Sequence, residues 1–214
     1  MLRNVDTISQ RLAAFVGVPF GSLSQTLGVP GLERPADRRK SFAGDVAEAM
    51  LDIARNALPD PDLESIGAEI KTIPLDARSR PRENTKITSL TPRLVSTEGD
   101  FYTSHLYAKM RAILFLPVQK SDNDDPASWY LRPPFLWLPG TEQLRVIRAD
   151  YETYLAAIRE GRWDVLSLRT GTYLGVNTSG QTSAGMQRQD KPYAWWLKRE
   201  LTRVIVEENL GIGS

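Results

Sequence analysis

Two periods govern the apolar positions of this chain. Over residues 7–16, Ile8, Leu12, Phe15 and Val16 recur at helical spacing and predict a short amphipathic helix, with a second over 22–27. Phe42, Val46, Met50, Ile53 and Ala57 keep that period over 42–58. Asp45, Glu48, Asp52 and Arg55 then share the polar face, and Pro59 and Pro61 are placed to end the helix. The longest predicted helix is 142–160. Leu144, Ile147, Tyr151, Tyr154, Leu155 and Ile158 line one face of it, and Gly161 follows as a C-terminal cap. Thr103 or Ser104 can cap a short helix running to Lys109. Pro192 can open a final helix with Trp195 or Trp196, Leu201, Val204 and Ile205 inward.

The period changes to two over 66–73, which puts Glu69 and Lys71 on one face of a strand and Ala68 and Ile70 on the other. Further strands are predicted over 86–94, 112–118 and 135–138. A hairpin of 165–169 and 172–176 is expected around Thr170-Gly171. Between these lie a basic loop (30–40), an arginine-bearing loop (74–81), a turn (123–126) and a polar Gly/Ser/Thr/Gln loop (177–191). The pattern is that of an α/β chain with a mixed sheet flanked by helices.

Composition narrows the chemistry. A length of 214 residues, 41% hydrophobic and 25% charged, suits one globular domain over 1–214. The absence of cysteine excludes disulfides, thiolate zinc sites and cysteine nucleophiles. His105 is the only histidine, which excludes a multi-histidine metal site and suits a capping or packing role. No apolar run approaches the roughly 18–20 residues of a membrane span. The first six residues lack the apolar stretch of a secretion signal, so a cytoplasmic location is expected.

The net charge of +1 is uninformative, but its distribution is not. Arg78, Arg80, Arg82, Lys86 and Arg93 face only Glu83 between 77 and 93. Arg34, Arg38, Arg39 and Lys40 form a second cluster. Arg188, Lys191, Lys198, Arg199 and Arg203 form a third. Local patches of this kind set contact with phosphates, although solvated loops and helix faces have the same composition.

Asp62, Glu69 and Lys71 carry the sharpest candidate chemistry. Hard carboxylate oxygens suit Mg²⁺ (or Mn²⁺), which keeps part of its water shell. A lysine on the same strand face can orient an attacking water and offset transition-state charge. An exposed strand face with a Glu–Lys contact would have the same signature.

A wider set of motifs surrounds this cluster. It comprises Lys40-Ser41-Phe42-Ala43-Gly44, Glu48, Asp62, Ile66-Gly67-Ala68-Glu69-Ile70-Lys71-Thr72-Ile73-Pro74 and Arg80-Pro81-Arg82-Glu83-Asn84-Thr85. Thr103-Ser104-His105 through Lys109, Ile113 to Val118, Gly171-Thr172-Tyr173-Leu174 and Trp196-Leu197-Lys198-Arg199 follow in order. In this the chain resembles the MutH family of DNA endonucleases, which comprises methyl-directed mismatch-repair enzymes and GATC-cutting restriction relatives. The resemblance implies a restriction-endonuclease-like fold of the PD-(D/E)XK type in two lobes around a DNA cleft. It implies that Asp62 and Glu69 bind divalent metal, that Lys71 serves the attacking water, that Glu48 lies at the edge of the metal site and that Lys109 approaches it. It also makes double-stranded DNA the substrate, with Lys40, Lys86, Trp196 and Lys198 as candidate contacts.

The chain departs from the family at the loop that reads bases. Where MutH proteins carry Arg-Pro-Lys after the Tyr-Leu strand, this sequence has Asn177-Thr178-Ser179. Arg188 is the only arginine of loop 177–191 and is expected to read a guanine, with Lys191 on nearby phosphate; the alternative is that Arg188 also meets only phosphate. The altered loop favours a type II restriction role. The alternatives are a strand-nicking repair endonuclease activated by MutL and a non-catalytic DNA-binding module, the last opposed by the intact Asp62, Glu69 and Lys71.

Overall fold

The computed structural model describes residues 5–30, 32, 41–53, 61–121, 125–180 and 186–212, with Leu94 described in its backbone alone. The chain divides into two compact units. Unit 1 comprises Met1–Glu83, Ala112–Trp137 and Ile205–Ser214, and unit 2 comprises Asn84–Arg111 and Leu138–Val204.

The centre of unit 1 is β3 (Ile113–Gln119), buried at every position. A strand covered on both faces reads as an unbroken apolar run, as this one does. β3 pairs parallel with β1 (Glu69–Leu75) over its full length, from Glu69 opposite Ile113 to Leu75 opposite Gln119. Its other edge pairs antiparallel with β5 (Phe135–Trp137) at the start and β4 (Tyr130–Leu131) at the end. The expected mixed sheet is therefore present. Leu114, Leu116 and Val118 form a core with side chains from α1 (Val5–Ala13), α2 (Phe20–Leu27) and α3 (Phe42–Leu51). Alternation sends Phe115 to the opposite face, where it meets Phe135 and Trp137. Helix α3 is shorter than its apolar period suggested. It stops at Leu51 because Asp52 adopts a left-handed conformation (φ 56°) and returns its N–H to the carbonyls of Glu48 and Ala49. Pro59 lies outside the described residues.

Unit 2 has its own antiparallel sheet, in the order β2 (Thr85–Leu90), β7 (Tyr193–Leu197), β6 (Leu174–Thr178). Tyr193 to Leu197, expected to begin the last helix, form the middle strand instead. The aromatic, bulky Tyr-Ala-Trp-Trp-Leu run suits a strand, and pairing on both edges outweighs the start signal of Pro192. Helix α7 begins later, at Arg199, and runs to Leu210. Its Leu201 and Ile205 are buried as expected, whereas Val204 is exposed. The strand expected over 86–94 ends at Leu90, because Thr91-Pro92 opens a short helix α4 (Pro92–Val95). The expected cap is Ser104, whose Oγ accepts the Tyr107 N–H at 3.1 Å at the start of α5 (His105–Met110). Helix α6 (Thr141–Arg159) lies within one residue of its expected bounds.

The expected hairpin around Gly171 does not form. Strand β6 pairs with β7, and the turn before it is held by side chains of α6.

Candidate functional site

Glu69 opens β1, and its N–H donates to the Ala112 carbonyl at 3.0 Å, fixing the strand start against β3. Lys71 lies two residues on, on the same face, and its Nζ donates to Glu69 Oε1 at 2.6 Å. Glu69 is only 5% exposed, so its charge requires a partner, and Lys71 supplies one. Asp62 reaches this place through a turn. Leu63 and Ala68 exchange backbone hydrogen bonds at 2.9 and 3.2 Å, and Gly67 takes φ +63°, a region glycine enters freely. The chain thereby folds back, and Asp62 Oδ2 accepts the Ile70 N–H at 3.0 Å. Asp62 is thus tied to the backbone of the strand whose start carries the Glu69–Lys71 pair.

The donor set suits a hard divalent cation, because Mg²⁺ is commonly held by one or two carboxylates with water and substrate phosphate completing its shell. Among the described residues no three acidic or histidine side chains are grouped to hold a metal ion. Glu48 is half-buried on α3. Lys109 is 5% exposed in the last turn of α5, three residues ahead of Ala112, whose carbonyl accepts the Glu69 N–H.

The candidate contacts to nucleic acid that can be placed are in unit 2. In the sheet register Trp196 stands opposite Lys86 on one side and Gly175 on the other. Lys86 is exposed and donates to Ser179 Oγ at 2.8 Å, so β2 is tied to the segment that follows β6. The indole N–H of Trp196 is enclosed and meets no hydrogen-bond acceptor among the described residues. Arg188 is exposed and begins a single 3₁₀ turn, Arg188–Asp190, which Lys191 closes. Burial raises the pKa of the nearby Tyr193 hydroxyl, and the positive charge of Arg188 opposes that rise. Asp190 pairs with Arg93 at 3.6 Å. Lys198 is half-buried, and its Nζ donates to the Gly171 carbonyl at 2.6 Å, which makes it an internal tie. Lys40 lies outside the described residues. His105 Nε2 is 3.0 Å from Thr88 Oγ1, in keeping with a packing role.

Sequence reasoning missed Asp150. This α6 carboxylate is 7% exposed and accepts the N–H groups of Thr172, Tyr173 and Leu174 at 2.7–2.9 Å. Tyr154 OH accepts the Gly171 N–H at 2.9 Å and lies 2.7 Å from the Ser167 carbonyl, to which it donates. A Cβ on Gly171 would meet the Leu174 carbonyl oxygen at 2.0 Å, so only glycine fits there. The available signal was spacing. Asp150 follows Ile147 by three residues and precedes Tyr154 by four, which puts an acidic residue on the apolar face of α6.

No described helix is long and apolar enough to cross a membrane. The family model described as DNA mismatch repair enzyme MutH matches residues 51–150. The DNA mismatch repair protein MutH of Shewanella woodyi is 29% identical, with 98% of this chain and 94% of that protein covered. Its namesakes in Haemophilus influenzae and Actinobacillus pleuropneumoniae are 24% and 27% identical, over 98% and 96% of this chain and 97% and 94% of their own lengths. Along nearly its whole length, then, this chain is similar to proteins named DNA mismatch repair protein MutH.

Proposed function

We propose that this protein is an endonuclease of DNA mismatch repair, which hydrolyses a phosphodiester bond in one strand of duplex DNA at a short recognition site and is called into action by a MutL partner. The observation that carries the chemistry is the Glu69–Lys71 contact at 2.6 Å with Asp62 folded back onto the same strand start. The relatives' names support repair over the restriction role that the altered 177–191 loop favoured.

Unit 1 is read as the catalytic lobe of a PD-(D/E)XK nuclease and unit 2 as its recognition lobe. Asp62 and Glu69 would hold Mg²⁺, or Mn²⁺ in its place. Bound there, the ion supplies positive charge beside the scissile phosphate and acidifies water. Lys71 Nζ orients the attacking water and offsets the negative charge that grows on the phosphoryl oxygens. Glu48 and Lys109 assist from the edge. Arg188 reads a guanine through O6 and N7, and Lys191, Lys86 and Trp196 contact backbone and bases around it.

The test is supercoiled plasmid with purified protein, Mg²⁺, and MutL added or withheld. Nicked circles whose yield rises with MutL, and no product in EDTA, are expected. Full-rate linearisation without MutL would replace repair by restriction, and undiminished cutting in excess chelator would overturn the metal chemistry.

A further inference from the structure

The arginine-rich stretch of 77–93 is divided between the two units. Lys86 and Arg93 belong to unit 2, whereas Arg78, Arg80 and Arg82 lie in unit 1, in the loop that leaves the far end of β1. There they surround an open cavity of about 510 Å³ with Asp76, Lys120 and Ser121, the last two from the segment after β3. Arg132, just past β4, joins them by donating to Ser79 Oγ at 3.2 Å.

The loop is built rather than loose. The Asp76 carboxylate accepts the N–H groups of Arg78 and Arg80 at 2.9 Å each and the Arg80 guanidinium at 3.0 and 3.1 Å. Burial acts to raise the Asp76 pKa, but these hydrogen bonds outweigh it and hold the carboxyl below its ordinary range. Gln119 donates to the Asp76 carbonyl and accepts from Ser79 Oγ, and Ser79 sits at φ +58°. Asp76 thus engages Arg80, while Arg78 and Arg82 are exposed on the rim and half-buried Lys120 lies 4.0 Å from the Trp129 ring. Asp122 and Asp124, next along the chain, lie outside the described residues.

We propose that this end of unit 1 is a second phosphate-binding surface, which holds the backbone of duplex DNA away from the bond that is cut. The inference rests on the reading of the protein as a DNA endonuclease. Guanidinium groups match phosphate oxygens in a planar fork, and a pre-ordered loop loses little freedom in presenting them. The six steps from Glu69 to Leu75 span roughly 20 Å at about 3.3 Å each. A duplex that reaches both places must therefore extend some six base pairs beyond the cut, at about 3.4 Å per pair.

Binding titrations on duplexes of 10 and 40 base pairs, each with the site at its centre and each at two salt concentrations, test this. The shorter duplex reaches only about 17 Å from its centre. For Arg78→Ala/Arg82→Ala/Lys120→Ala in the full chain, affinity for the longer duplex should fall at least tenfold at low salt. Its salt slope should drop by about 2–3, near 0.9 for each phosphate no longer neutralised. Binding and cutting of the shorter duplex should be unchanged, and Arg78→Lys/Arg82→Lys should retain most of the long-duplex advantage. Unchanged binding of the longer duplex, as an acidic protein partner would leave it, overturns the proposal. So does equal loss on both lengths, or wild-type binding of inorganic triphosphate through these residues without any effect of duplex length. A wild-type protein that cuts neither duplex defeats the endonuclease reading itself. One that cuts both, with the triple variant indistinguishable from it, defeats this surface alone.

Discussion

The two units hold their functional side chains in opposite ways. In unit 1, Asp62, Glu69 and Lys71 lie within ten residues of one another, and one turn and one strand suffice to bring them together. In unit 2 the surface around β6 depends on residues far apart in the chain. Asp150 and Tyr154 come from α6, Lys198 from beyond β7, and Lys86 from β2. A short local motif keeps its geometry when loops elsewhere change. A surface pinned by long-range contacts can be rebuilt at its loop while its anchors remain. This is in keeping with a sequence that resembles the MutH family at the proposed catalytic positions and departs from it at residues 177–179.

The comparison breaks most sharply if unit 1 is not the chemical half. Asp62→Ala, Glu69→Ala and Lys71→Ala should each slow plasmid nicking at least a hundredfold, about 3 kcal/mol of transition-state stabilisation, with the thermal melt intact. Glu48→Ala should cost less. Nicking rates within about tenfold of wild type for the first three would remove these residues from catalysis.

For unit 2 the largest effect is expected at Asp150. Asp150→Ala leaves three N–H groups without their acceptor, that of Leu174 buried, and should destabilise the protein by roughly 2–3 kcal/mol, read by chemical denaturation. Asp150→Asn, which keeps one carbonyl oxygen, should cost less. Discrimination between cognate and random duplexes should decline in both variants before residual non-specific cutting does. Equal decline of the two would make Asp150 a general scaffold residue and blur the division between the units.

Arg188→Ala sharpens the same division at the surface. A base contact predicts a loss of roughly 1–3 kcal/mol on the cognate duplex alone. Equal weakening on cognate and random duplexes, with a salt slope lower by about one, would assign Arg188 to phosphate instead.

The smallest effect concerns the loop after β1. The pKa of Asp76 is lowered in the folded protein, so its stabilisation is present above the ordinary carboxylate value and is lost as pH falls through the folded value. Asp76→Asn should cost under about 1 kcal/mol at neutral pH, because the loop is partly exposed. The gap from wild type should close below about pH 4, by melting curves across pH. A gap constant down to about pH 2, below the ordinary carboxylate range, would show that the charge of Asp76 does not hold the loop.

Local order was legible without coordinates. The shared face of Glu69 and Lys71 follows from the two-residue period of a strand, α6 from its apolar stripe and the end of that helix from Gly161, and the cap of α5 was narrowed to Thr103 or Ser104. Each depends on neighbours within a few residues, which is as far as periodicity reaches. The tertiary structure alone decided three other matters. The Tyr193–Leu197 run became a middle strand because partners more than a hundred residues away on one side and some twenty on the other were free to pair with it. The segment before β6 became a pinned turn because Asp150, a polar residue on an apolar face, took its backbone donors. The arginines of 78–82 met Lys120, because parallel pairing of β1 with β3 brings the ends of those two strands to the same place. Strand pairing and buried polar contacts join residues that no local period relates, and so they had to be found in the fold.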